Sequence, residues 1–228
     1  LIISNNTMEI IPAILPRDFA EIEEKIELIV GLSKIVQIDI CDGKFVSSTT
    51  WPYKKQDDNF EAILREERGM PEWEKIDYEF DLMVKNLTED DARKWLSVGA
   101  SRLVLHLDST PDLLPVISVL CGLVDIGIAI TVNSSIDKIE PFKDKIQYIQ
   151  IMGIDRIGFQ GQKFNPKVLG KIEEVKKAYP HLKIQIDGGV TFENAALLKH
   201  AGADKLVTGS ALFESENIVD TLADFKAI

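Results

Sequence analysis

Eight short β-rich runs alternate with helix-like segments along 228 residues, and few architectures accept that pattern. The runs are EIIPAIL from Glu9, KIVQIDI from Lys34, YEFDLMV from Tyr78, RLVLHL from Arg102, GIAITV from Gly127, IQYIQIM from Ile146, KIQIDG from Lys183 and KLVTG from Lys205. Each is rich in Ile, Val, Leu or aromatics, as a buried parallel strand should be. The segments between them read as helices. DFAEIEEKIELIVG puts Phe19, Ile22, Ile26 and Ile29 on one face, with Asp18 as N-cap and Gly31 as stop. Thr88 and Thr191 cap two further helices, and Pro166 is expected in the first turn of another. The fold class is therefore α/β, and a single (β/α)8 TIM barrel is the expected architecture. A doubly wound open sheet is the alternative.

No linker divides the chain, so residues 1–228 read as one domain. Met8 reads as a start, with residues 1–7 as a short flexible leader. Residues 47–75, beginning SSTTWPYKKQDDN, read as an enlarged loop and helix after strand two, placed where a lid would be. The net charge of −11 argues against nucleic acid or an anionic membrane as the main partner. The apolar run from Leu113 is interrupted by Pro115, Gly122 and Asp125 and reads as a helix and a strand rather than a membrane span. Cys41 and Cys121 form no zinc or CxxC pattern. These features suit a cytoplasmic protein.

In such a barrel the C-terminal ends of the strands face the active site. Strand two carries Gln37 and Asp39 on one face, strand three Asp81, and strand seven Asp187. Asp39 and Asp187, each inside an apolar strand, are expected to face one another across the mouth. Two opposed carboxylates suit removal of a proton from one face of a carbon and its return on the other. Asp42, next to Gly43, is expected to shape the turn. Three glycine-rich turns follow strands six, seven and eight: GFQGQKF from Gly158, DGG from Asp187 and GSALF from Gly209. Glycines let backbone amides approach an anion, and the last two loops are a recurrent phosphate site in barrels.

These residues carry a resemblance. IIPAIL, VQIDICDGKFV, FDLMV, GFQGQKF and the long stretch IQIDGGVTFENAALLKHAGADKLVTGSALF resemble the ribulose-phosphate 3-epimerase family over nearly the whole chain. The resemblance implies a barrel of the ribulose-phosphate-binding type. It implies interconversion of ribulose 5-phosphate and xylulose 5-phosphate through an enediolate, with Asp39 and Asp187 as the proton-transfer pair. It implies phosphate on Gly158, Phe159, Gln160, Gly161, Gly188, Gly189, Gly209 and Ser210. It also implies a divalent metal (zinc, iron, manganese or magnesium), no organic cofactor, and a homo-oligomer.

The chain departs from that family at the metal. Two positions usually histidine read Gln37 and Asp81. The candidate ligand set is then Gln37, Asp39, Asp81 and Asp187, all offering oxygen, which suits harder cations than zinc or iron. Ala13 stands for a usual serine, Cys41 for a methionine, and Gln160 for a glycine. Arg156, in the turn after strand six, is the candidate cation to offset the lost histidines, and His106 ends strand four with a supporting role beside the ligands. Alternative readings are an epimerase of another ketose phosphate, with the pocket reshaped near Trp51 and Tyr53, a non-catalytic phosphosugar-binding barrel, or a decarboxylase-type barrel.

Overall fold

Alternation within the strands sorts the molecule into two interiors. In the computed structural model, which describes residues 8–54 and 58–228, eight parallel strands close into a barrel in sequence order. They are β1 (Glu9–Ile14), β2 (Ile35–Cys41), β3 (Asp77–Met83), β4 (Ala100–His106), β5 (Asp125–Ile130), β6 (Tyr148–Met152), β7 (Lys183–Asp187) and β8 (Lys205–Thr208). Outward residues such as Val36, Ile38 and Ile40 of β2 join the continuous apolar layer beneath the helices. Inward residues of the same strand are Gln37, Asp39 and Cys41, so the acid inside an apolar strand is a barrel-lining residue.

The helices are α1 (Phe19–Ile29), α2 (Asp58–Leu64), α3 (Glu89–Ser97), α4 (Leu114–Leu120), α5 (Val168–Ala178), α6 (Phe192–Ala201), the short α7 (Ser210–Phe213) and α8 (Ile218–Ala227). A 3-10 segment, Ile136–Phe142, replaces the helix between β5 and β6. Asp18 caps α1 by accepting from the Glu21 amide, and Phe19, Ile22, Ile26 and Ile29 are buried, as their spacing requires. Thr88 and Asp91 cap α3 reciprocally. Pro166 lies ahead of α5 rather than in its first turn, because the helix begins only at Val168. Among the described residues no helix is long and apolar enough to cross a membrane. The proposed leader, residues 1–7, and residues 55–57 of the long loop lie outside the described residues.

The loop after β2 is anchored. The Thr50 hydroxyl donates to the Asp39 carbonyl (2.8 Å) and accepts from the Cys41 amide (2.7 Å). Trp51, which the alternative of another ketose phosphate would set near the pocket, is 1% exposed and packs under the helices. Its ring lies 5.4 Å from Phe19, 5.5 Å from Phe60 and 6.2 Å from Trp95. Trp95 of α3 also meets Phe60 at 5.1 Å and Phe80 at 4.8 Å. Five rings converge there, so removing the central one leaves a large void among bulky neighbours. Trp95→Ala is expected to lower unfolding free energy by about 3–5 kcal/mol, read from urea midpoints with an unchanged m-value.

Candidate active site

The strand register brings the acids together. Asp39 pairs with Asp81 across β2 and β3, while Asp187 ends β7 on the other side of the mouth. Carboxylate oxygens of Asp39, Asp81 and Asp187 all lie within 4.8 Å of one another, and all three residues are buried. Asp39 and Asp187 open into a cleft of about 390 Å³; Asp81 does not line it and is fully buried. The cleft's other walls include Ala13, Met83 and Met152 and the glycine-rich turns Gly158–Gly161, Gly188–Gly189 and Gly209–Ser210. All the sequence-proposed phosphate residues therefore meet the proposed proton-transfer pair in one cavity.

The turn geometry needs glycine where it occurs. Gly188 and Gly189 have φ of +95° and +67°, in the left-handed region that L side chains rarely adopt. Just before them, the Gly153 amide donates to the Asp187 carbonyl at 2.6 Å, and a Cβ on Gly153 would enter the van der Waals shell of the Gly188 carbonyl oxygen. Gly153→Ala is expected to push the Asp187–Gly189 turn away from β6. Stability should fall by about 1–3 kcal/mol, and turnover by about tenfold or more, because the acid moves with the turn. Thermal melts and initial rates check both.

Electrostatics separate protonated from ionised groups. Burial, together with the charges of Asp187 and Asp81, holds the Asp39 carboxyl well above the usual range. Burial and the Asp81 charge push Asp187 up to about 8. Mutually repelling buried carboxylates this close resist ionising together near neutral pH, so the pair can hold one proton and one vacant base. The Gln37 amide nitrogen donates to both, at 2.8 Å to Asp39 Oδ1 and 3.1 Å to Asp187 Oδ2. That places Gln37 within the cluster but with its nitrogen, not its oxygen, toward it. Ligation by Gln37 would need the amide reversed.

The remaining candidates take supporting places. His106 Nε2 lies 2.8 Å from Asp81 Oδ1, and its ring meets Phe45 at 5.3 Å. Asp42 accepts from the amides of Lys44 and Phe45 and, through its other oxygen, from Lys85, so it ties down the turn. Arg156 is exposed and stacks 4.2 Å from the Phe159 ring, outside the cleft lining. Gln160 reaches back across the mouth to donate to the Ala13 carbonyl at 3.3 Å. Glu79, Tyr148, Gln150 and Gln185 were not singled out from sequence, although all lie inside the barrel and bond one another. Their signal was present: Gln150 and Gln185 interrupt otherwise apolar strands, as Asp39 does.

Residues 9–213 match the model of the ribulose-phosphate 3 epimerase family. A ribulose-phosphate 3-epimerase of Bacillus subtilis is 30% identical over 226 residues, covering 96% of this chain and 98% of that protein. One of Schizosaccharomyces pombe is 25% identical, covering 96% and 92%. Among solved structures, 3-hexulose-6-phosphate synthase of Salmonella typhimurium superimposes with a TM-score of 0.70 at 12% identity, covering 96% of this chain and 97% of that one, a likeness of fold alone. The barrel, the family match and a full-length relative at 30% identity agree: the chain belongs to the ribulose-phosphate 3-epimerase family.

Proposed function

We propose that the chain interconverts D-ribulose 5-phosphate and D-xylulose 5-phosphate, moving a proton between Asp39 and Asp187. The observation that carries this reading is that both carboxylates line the same cleft as the glycine-rich turns after β6, β7 and β8. Phosphate held at the turns leaves the rest of a pentulose to extend toward the acids. The carbon beside the ketone then lies between two carboxyls, one ionised and one protonated. The ionised member takes the proton from one face, and the other returns a proton to the opposite face. One turnover leaves the two carboxyls with exchanged protonation states, and the starting arrangement returns by reverse turnover or by proton exchange with solvent. Met83 and Met152 supply apolar wall beside the acids.

Three carboxylates converging within 4.8 Å fit a divalent cation, and their oxygens favour magnesium or manganese over zinc or iron. Asp39, Asp81 and Asp187 would hold it. When bound, it supplies positive charge beside the oxygens of the developing enediolate. His106 at 2.8 Å and Gln150 at 2.9 Å secure the two Asp81 oxygens, which fixes that carboxylate's direction. A cytoplasmic setting and a homo-oligomer belong to the same reading; the free thiols Cys41 and Cys121 accord with a reducing compartment.

The test is proton exchange. Ribulose 5-phosphate is incubated in heavy water with metal-stripped protein, then with manganese, magnesium or zinc restored. Deuterium at the carbon beside the ketone together with xylulose 5-phosphate supports the reading, and magnesium or manganese should restore more turnover than zinc. Binding of the phosphosugar without exchange under any cation would replace it with a non-catalytic binding barrel.

A further inference from the structure

Beneath the acids, polar side chains from four strands form one chain of contacts inside the barrel. Gln185 of β7 is its hub. Its Nε2 lies 2.6 Å from Glu79 Oε1, 2.8 Å from Gln150 Oε1 and 3.3 Å from Gln37 Oε1. Three oxygens around one amide nitrogen leave a single sensible direction for that amide. Its own Oε1 meets no partner among the described residues, so the direction is set by Glu79, whose carboxylate accepts and therefore needs the amide nitrogen. Because the oxygens of Gln37 and Gln150 face Gln185, their nitrogens must face the opposite way. There Gln37 Nε2 donates to Asp39 and Asp187, and Gln150 Nε2 donates to Asp81 at 2.9 Å, with Asp187 Oδ2 at 3.4 Å.

Glu79 fixes the lower end of this chain. It is fully buried, accepts from the Tyr148 hydroxyl at 2.8 Å, and lies 3.9 Å from the Arg102 guanidinium. Tyr148 reaches it across the barrel because Gly127, opposite its ring, has no Cβ to occupy that space. We propose that Glu79 and Gln185 are positioning residues: their contacts across the barrel interior fix the direction of the Gln37 and Gln150 amides, so that both present N–H donors to Asp39, Asp81 and Asp187. A reversed Gln37 amide would set a carbonyl oxygen against both proton-transfer carboxylates and release the tie that holds their separation. The inference rests on the epimerase reading for its kinetic consequence, but the amide direction is a separate observable.

Glu79→Met and Gln185→Met each remove a polar end while keeping length. Each is expected to lower kcat at least tenfold while KM stays within threefold, since the phosphate turns are untouched. Glu79→Gln still offers an oxygen to Gln185 and should stay within threefold of the parent in kcat. In parallel, the side-chain amide signals of Gln37 and Gln150 are followed in nitrogen-15-labelled protein. Slow hydrogen exchange in the parent and in Glu79→Gln, lost in both Met variants, is the expected pattern. The two Met variants probe the chain from different strands, so one that fails to fold leaves the other to decide. Unchanged kcat and unchanged amide protection in a folded Met variant would overturn the proposal, as would Glu79→Gln falling as far as Glu79→Met. Should the parent show no epimerisation, the amide signals alone decide it, and the failure belongs to the assigned reaction.

Discussion

Asp39→Asn is expected to lower epimerisation of ribulose 5-phosphate by about 10²–10⁴-fold, with KM little changed. The substitution keeps the shape of the side chain and removes its ability to take or give a proton. KM should hold because the glycine turns that would grip the phosphate are contributed by the loops after β6, β7 and β8, not by β2. Stability should hold or rise, because a carboxyl crowded by Asp187 and Asp81 is exchanged for a neutral amide. Asp187→Asn should lose turnover to a similar degree. The two variants differ in a way that a shared structural defect cannot imitate. With one acid left, the protein can still remove the proton from the ketose whose C–H faces that acid, and solvent deuterium can return only from the same side. Each variant should therefore exchange one epimer without converting it and leave the other untouched, in opposite senses. Nuclear magnetic resonance of both ketoses in heavy water reads this directly. Equal loss of exchange with both epimers in both variants would rule out the two-acid assignment.

Much of this site was legible in the sequence because a barrel strand alternates. Asp39 stood out as a polar residue at an inward position between Val36, Ile38 and Ile40, and the same rule placed Asp81 and Asp187. The glycine turns were legible because glycines recur directly after three successive strands, and the backbone at Gly158, Gly161, Gly188 and Gly189 has positive φ. Partnership across the barrel was not legible. Gln37 and Asp187 are 150 residues apart, and Glu79 meets Gln185 106 residues away, so no local pattern announces either contact. A glutamine inside a strand can equally face a neighbouring helix, and only closure of the sheet decides. Trp51 was misplaced for a related reason. A tryptophan in a polar loop near a strand end looks available to a pocket, but Phe19, Phe60 and Trp95 come from three different helices to enclose it. The metal question remained open in sequence because Gln37 and Asp81 stand where the family usually has histidines, and Gln37 was read as an oxygen ligand although its nitrogen faces the acids.

Stability of metal-stripped protein is expected to fall as pH rises from about 4 to about 8, and a divalent cation should abolish most of that fall. The folded protein holds Asp187 up to about 8 and Asp39 well above its ordinary value, both through burial and neighbouring carboxylates. The unfolded chain releases those protons near pH 4. Between the two values the native state binds more protons than the unfolded state, so raising the pH favours unfolding. Each proton that the folded cluster retains in this window lowers stability by about 1.4 kcal/mol per pH unit, and the protons belong to the coupled acids together rather than to one residue. The other shifted groups leave this window clean or act in the same direction. Partial burial raises Glu21, but hydrogen bonds from Arg17 and Lys25 outweigh it and bring it to about 2, so its contribution is lost only as pH falls below the ordinary glutamate value. Burial lowers Lys205 to about 8, which adds stability with rising pH only above that point. Burial raises Glu79, which adds to the fall. A cation bound by Asp39, Asp81 and Asp187 takes the place of the protons, so its affinity should increase with pH and its binding should release protons. Melting temperatures of stripped protein at pH 5, 6, 7 and 8, with and without manganese or magnesium, check the prediction. Asp81→Asn should flatten the stripped curve by removing one of the repelling charges and should weaken the rescue by cation. A stripped protein that grows more stable across pH 5–8 would mean that the three carboxylates are not the dominant buried charges. A stripped protein that loses stability but gains nothing from either cation would mean that the protons, rather than a metal, are what this mouth is built to hold.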